Sequence, residues 1–186
     1  KTTANVIDAA ASGAGDGLRL ALNIGAMLLA FIALIALVDA PLKWFGEVTG
    51  IASWLGQPTS LATLLGYLLA PIAWVIGTPW EDATIVGSLI GQKVVINEFI
   101  AYTQLASILN GQVPNVALSP QGALIATYAL CGFANFSSIA IQIGGIGGLA
   151  PERRQDLARF GMRAVLGGSI ATFMTATIAG VLTNLS

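Results

Sequence analysis

Glu98 stands at the mouth of the longest uncharged tract of this 186-residue chain, for no Asp, Glu, Lys or Arg lies between it and Glu152. It belongs to the run Gly91-Gln92-Lys93-Val94-Val95-Ile96-Asn97-Glu98-Phe99-Ile100, which sets a lysine, an asparagine and a carboxylate in an otherwise apolar stretch. A carboxylate can accept from two hydroxyls at once, whereas an amide has one acceptor oxygen. Glu98 is therefore suited to the hydroxyls of a polar, neutral solute. A second polar interruption, Gly132-Phe133-Ala134-Asn135-Phe136-Ser137-Ser138, offers an amide and hydroxyls that donate and accept, with Phe133 suited to lie along a flat ring. Ionisable groups are costly in hydrocarbon, and two such interruptions point to a buried polar site built from broken helices.

Plainer roles exist for both segments. Lys93 and Glu98 can neutralise each other as an intramembrane ion pair, although a helical spacing of five suits such a pair less well than three or four. Asn135, Ser137 and Ser138 can serve helix packing, as small polar residues do in membrane bundles. Asn135-Phe136-Ser137 also matches a glycosylation acceptor, but it falls inside an expected span. Gly144-Gly145-Ile146-Gly147-Gly148 lacks the preceding strand and the following Lys-Ser/Thr of a nucleotide loop, and reads as helix termination or close packing.

The elements around these residues must be membrane-embedded. The chain is 55% hydrophobic and 9% charged with mean hydropathy +0.80, whereas a soluble domain carries about a quarter charged residues. Its net charge of −1 gives no basic field for nucleic acid. With no histidine and one cysteine, an internal disulfide and the usual zinc sites are excluded. Cys131 reads as a small buried apolar residue. An intramembrane hydrolase would need an activated nucleophile or a metal, so an enzyme is not expected. Lys1-Thr2-Thr3 is neither an initiator nor a signal peptide, and the chain reads as part of a longer polypeptide.

Residues 1–18 read as an amphipathic interfacial helix, with Val6, Ile7, Ala10 and Ala14 against Asp8 and Asp16. Residues 19–58 read as a scaffold transmembrane helix, Leu20 to Val38 covering roughly 28 Å, followed by an outer interfacial segment rich in Trp44, Trp54 and polar groups. Residues 59–77, with Gly66 and Pro71, form an interfacial helix. Residues 78–112 read as a re-entrant hairpin: Thr78 is a candidate N-cap, and two apolar arms lie around Gly87-Ser88 and Gly91-Gln92-Lys93, the first with too few residues to span. Residues 113–151 form a broken transmembrane helix beginning near Pro120, 152–163 a basic loop, and 164–186 the last transmembrane helix. Arg153, Arg154, Arg159 and Arg163 make that loop cytoplasmic, so the hairpin opens from outside.

The run Gly91 to Ile100, continued by Ala101-Tyr102, resembles a signature of the concentrative nucleoside transporters, G-x-K-x-x-x-N-E-F-[VI]-A-[YMF]. Cys131-Gly132-Phe133-Ala134-Asn135-Phe136-Ser137-Ser138-Ile139, Ala150-Pro151-Glu152-Arg153-Arg154 and the segment from Asn5 are similar to further stretches of that family. The resemblance covers the C-terminal half of the family's fold. It implies an all-α membrane protein, half of an inverted-repeat transporter, acting as a cation-coupled nucleoside importer. Sodium is the usual driver, a uridine-like nucleoside the substrate, and a homotrimer the assembly, in a multi-pass bacterial inner (plasma) membrane. The resemblance assigns ribose binding to Glu98, Asn135 and Ser138 and places Phe133 beside the nucleobase. The coupling cation, Na+ or H+, is expected at residues of the missing N-terminal half, so no metal ligand is assigned in this chain. The other reading is an ion channel or a non-transporting structural membrane subunit, which would need no Glu98 opposite Asn135 and Ser138.

Overall fold

The computed structural model describes residues 5–56 and 58–184, save the side chains of 23, 24, 27, 28, 31, 140, 144–149 and 184. All regular structure among the described residues is helical. Asn5 starts the first helix, α1 (Val6–Thr49), by accepting the Asp8 N–H at 2.9 Å, and Gly50 ends it in the left-handed region at φ 76°. This single helix of 44 residues runs through both the expected interfacial helix 1–18 and the span after it, and Pro41 lies inside it. The run Gly13, Gly15, Asp16, Gly17 does not interrupt it, so the boundary at residue 18 is absent. A short helix, α2 (Ile51–Leu55), follows.

Helix α3 (Leu61–Val75) is capped at both levels of its first turn: Ser60 Oγ accepts the Thr63 N–H at 3.1 Å, and Asp39 of α1 accepts the Leu61 N–H at 2.8 Å. The chain direction then changes by 119° into α4 (Trp80–Val95). Pro79, not Thr78, occupies the N-cap position of α4, and it supplies no side-chain bond; the Thr78 hydroxyl is buried without a partner. Pro79 brings the fixed φ that a helix start tolerates.

Helix α4 runs straight past Gly87 and Gly91, and the chain breaks at Ile96-Asn97 before α5 (Glu98–Leu109). The two glycines serve close approach instead. A Cβ on Gly87 would stand 2.6 Å from the Gly66 carbonyl oxygen and 2.8 Å from the Ala70 nitrogen, and one on Gly91 2.6 Å from Leu65 Cβ. With Ala83 they form a small-residue stripe at a spacing of four, which lets the α3 and α4 backbones nearly touch. The first arm is thus 16 residues and the second 12, about 24 and 18 Å, each short of a hydrocarbon core of about 30 Å.

Ser119 caps α6 (Pro120–Leu130), with Pro120 in the first turn as the sequence predicts. Asp82 of α4 reaches across to this start: its Oδ2 accepts the Ser119 N–H at 3.1 Å and the Ser119 hydroxyl at 2.5 Å. Helix α7 (Phe136–Leu149) follows a break at residues 131–135. Gly144-Gly145-Ile146-Gly147-Gly148 makes up the C-terminal end of α7, which stops one residue later at Leu149; its packing lies outside the described residues. After a 3-10 turn, Pro151–Arg153, helix α8 (Arg154–Asn184) contains all of Arg154, Arg159 and Arg163. The expected basic loop 152–163 is therefore mostly helix. Nothing in it breaks a helix, and Arg153 pairs with Asp156 three residues on, Nε to Oδ2 at 2.6 Å. From Pro151 to Thr183 the chain is long and apolar enough to cross a membrane. The core, including Ala73, Val86, Leu89, Ala101, Ile125 and Ala129, fills the space between α3, α4, α5, α6 and α8.

Candidate functional site

Two chain breaks face each other in this core. The first is Ile96-Asn97. Asn97, 7% exposed, caps α5 by accepting the Ile100 N–H at 2.9 Å, which places Glu98 as the first helical residue. A carboxylate there is favoured by the partial positive charge of the helix start. The second break, residues 131–135, ends at Asn135, 1% exposed, whose Oδ1 accepts the Ser138 N–H at 2.7 Å in the same capping geometry.

That bond sets the orientation of the Asn135 amide. A backbone N–H can only donate, so the atom facing Ser138 N is the oxygen and the nitrogen points the other way. Asn135 Nδ2 then donates to Glu98 Oε2 at 2.8 Å. Among the described residues Glu98 Oε1 accepts nothing further, and no cation lies within ion-pair distance of the carboxylate. The intramembrane Lys93–Glu98 ion pair is absent: Lys93 turns to Thr172 of α8, and Glu98 turns to Asn135.

Ser137 is a residue that sequence reasoning passed over in favour of Ser138. Its hydroxyl lies 2.7 Å from Asn135 Oδ1 and 3.0 Å from the Ile96 carbonyl oxygen, so one buried proton joins the second break to the first. The signal was available: an Asn with serines two and three residues on, at a helix start, has both the cap and the hydroxyls that bind a neighbouring backbone.

Ser138 and Phe133 meet elsewhere on the same break. They share a cavity of about 490 Å³ with Gln142, Arg153, Asp156 and Phe160, and Phe133 is 78% exposed. Glu98 and Asn135 are not on the wall of that cavity. The four residues thus connect in a row of pairwise contacts: Glu98 to Asn135 and Asn135 to Ser138 by hydrogen bonds, and Ser138 to Phe133 across the shared cavity. Chemically the row presents a free carboxylate oxygen, a second amide hydrogen and a hydroxyl, all capable of binding a polyhydroxylated solute. Among the described residues, no three of Cys, Asp and Glu gather as a metal site.

Cys131 is exposed, contrary to the expectation of a buried apolar residue. It is the residue at which α6 ends, its N–H bonded to the Tyr128 carbonyl at 3.2 Å, and the chain leaves the packed helix there.

The family model described as "Na+ dependent nucleoside transporter C-terminus" matches residues 1–180. An uncharacterized transporter of Bacillus subtilis, YutK, is 52% identical over 178 residues, which are 96% of this chain and 41% of the relative. The nucleoside permease NupC of Helicobacter pylori is 45% identical over 182 residues, 98% of this chain and 42% of the permease. The solved structure of CNTnw in an inward-facing substrate-bound state superimposes with a TM-score of 0.77 at 49% identity, covering 100% of this chain and 43% of that one. The chain spans less than half the length of each of these relatives. A match over nearly all residues, with the same helical fold, makes the chain a member of the Na+ dependent nucleoside transporter C-terminal family.

Proposed function

We propose that this chain is the C-terminal part of a cation-coupled nucleoside importer, with sodium as the driving ion, and that it supplies the ribose-binding part of the substrate site. The observation that carries the reading is the 2.8 Å bond between Asn135 Nδ2 and Glu98 Oε2 across the two breaks. It leaves one carboxylate oxygen and one amide hydrogen side by side. A vicinal diol is complementary to that pair, since each hydroxyl can donate to the carboxylate and accept from the amide. Ser138 extends the row, and Phe133 at its open end offers a ring face to a nucleobase of a uridine-like substrate.

In this reading α4 and α5 form a re-entrant hairpin in one half of an inverted repeat, since neither is long enough to span alone. Irregular backbone at membrane depth is tolerated where it lines such a site. The protein is multi-pass in a bacterial inner membrane, with the arginine-rich start of α8 cytoplasmic. The ion-binding residues belong to a preceding half of the polypeptide, and the assembly is a homotrimer. That the relatives include a nucleoside permease supports the substrate class.

Equilibrium binding of uridine, 2′-deoxyuridine and 3′-deoxyuridine to the full-length transporter tests the assignment. Loss of a hydroxyl should weaken binding by about tenfold or more, because it leaves a buried polar group unpaired. Equal affinity for all three would remove the ribose from this site.

A further inference from the structure

Lys93 is fully buried, at 0% exposure, and it is the largest such side chain in the core. An ammonium held there without a carboxylate partner is expensive. Its surroundings are specific. Nζ donates to Thr172 Oγ1 at 3.5 Å and lies 5.9 Å from the centroid of the Phe173 ring, a cation–π distance. Lys93 also stands in the last turn of α4, where a positive charge complements the free carbonyls of the helix end.

Thr172 is oriented for this role. Its own proton is directed back to the Ser169 and Gly168 carbonyls of α8, at 2.9 and 3.2 Å, which leaves its lone pairs turned toward Lys93. Its methyl group fills the space that a side chain would take at Gly132: a Cβ there would lie 2.5 Å from Thr172 Cγ2. Thr172 therefore touches the second break and the last turn of α4, which leads into the first. Through Lys93 it holds the hairpin arm five residues before Glu98, and through Gly132 it holds the second break three residues before Asn135.

We propose that Lys93 is a positioning residue for the Glu98–Asn135 pair, acting through Thr172, and that it sets the separation of the two breaks on which recognition of the sugar depends. The proposal rests on the ribose assignment made above. The Lys93–Thr172–Gly132 tie runs parallel to the Glu98–Asn135 bond, so together they hold the two breaks at two points. With one point alone the carboxylate and the amide can still meet, but they swivel about their single bond. Two hydroxyls of one sugar then no longer find both groups at fixed spacing. Among the described residues Lys93 makes no hydrogen bond or ion pair with Glu98, Asn135 or Ser138, so it acts on them through Thr172.

The test compares the affinities of uridine and 3′-deoxyuridine in purified full-length transporter carrying Lys93→Met, Thr172→Val, or both. Methionine keeps the length and packs on Phe173 through its thioether; valine keeps the contact with Gly132 and removes the acceptor. Wild-type protein should prefer uridine by about tenfold or more. Each single variant should compress that preference to about threefold or less, and the double variant should compress it no further, since both remove the same tie. A single variant that keeps the wild-type preference, even with lower melting temperature, overturns the positioning role. Should Lys93→Met not fold, Thr172→Val decides the matter alone by the same ratio. Wild-type protein without any preference would instead overturn the ribose assignment, and this proposal with it.

Discussion

Asn135 and Glu98 lie 37 positions apart in the chain and meet, Nδ2 to Oε2, at 2.8 Å. Each stands at the start of a helix, and each is held by its own segment: Glu98 by the Asn97 cap of α5, Asn135 by the N–H of Ser138. The bond is therefore made between two preset groups, which is the condition for recognising a ligand without first reorganising.

Replacing Glu98 by Gln should weaken nucleoside binding by roughly ten- to hundredfold, because hydrogen bonds to a charged group contribute about 1.5–3 kcal/mol. The variant keeps an oxygen for Asn135 but loses the charge and one acceptor. Isothermal titration of the folded variant with uridine reads the change; unaltered affinity would remove Glu98 from the site.

Gly87 and Gly167 should respond to alanine with opposite signs. At Gly87 a Cβ would stand 2.6 Å from the Gly66 carbonyl oxygen, so α3 and α4 must separate, at a cost of about 1–3 kcal/mol. At Gly167 nothing lies within 4 Å of the added carbon, and alanine raises helix propensity by up to about 1 kcal/mol. Melting temperatures of the two variants in one detergent give the comparison, and a Gly87→Ala protein as stable as wild type would refute the close packing.

Asp82→Ala should lower the melting temperature without altering the sugar preference. The change leaves the partly buried Ser119 N–H and hydroxyl without their acceptor, a loss of about 1–2 kcal/mol. The site lies at the far end of α4, so a changed ratio of uridine to deoxyuridine affinity would show that the two ends are coupled.

A cysteine placed at Gln155, in a full-length protein cleared of every other cysteine including Cys131, should resist an impermeant thiol reagent applied to intact cells and react once the membrane is opened. The arginines around it on α8 would then be cytoplasmic. Fast labelling from outside would invert the orientation assigned to the hairpin.

The break at residues 131–135 was legible because Asn135, Ser137 and Ser138 cluster where a span should be apolar, and the structure interrupts the helix there. The break between α4 and α5 lies at Ile96-Asn97 and not near Gly87 and Gly91, since glycine marks either a break or a close helix contact, and only the position of α3 distinguishes them. Glu98 and Asn135 were paired by type, whereas the Ser137 link depends on where the Ile96 carbonyl points, which no side-chain pattern encodes. The charged stretch from Glu152 to Arg163 looked like a loop because charge density suggests water; charge does not stop a helix, and α8 simply extends into it. Likewise, the long α1 shows that a change from polar to apolar character does not by itself end a helix.

The Ser137 hydroxyl has one proton and two acceptors, Asn135 Oδ1 at 2.7 Å and the Ile96 carbonyl at 3.0 Å. One hydroxyl thus serves a side-chain amide on one break and a backbone carbonyl on the other, so a substitution that removes it takes a donor from both sides of the seam at once.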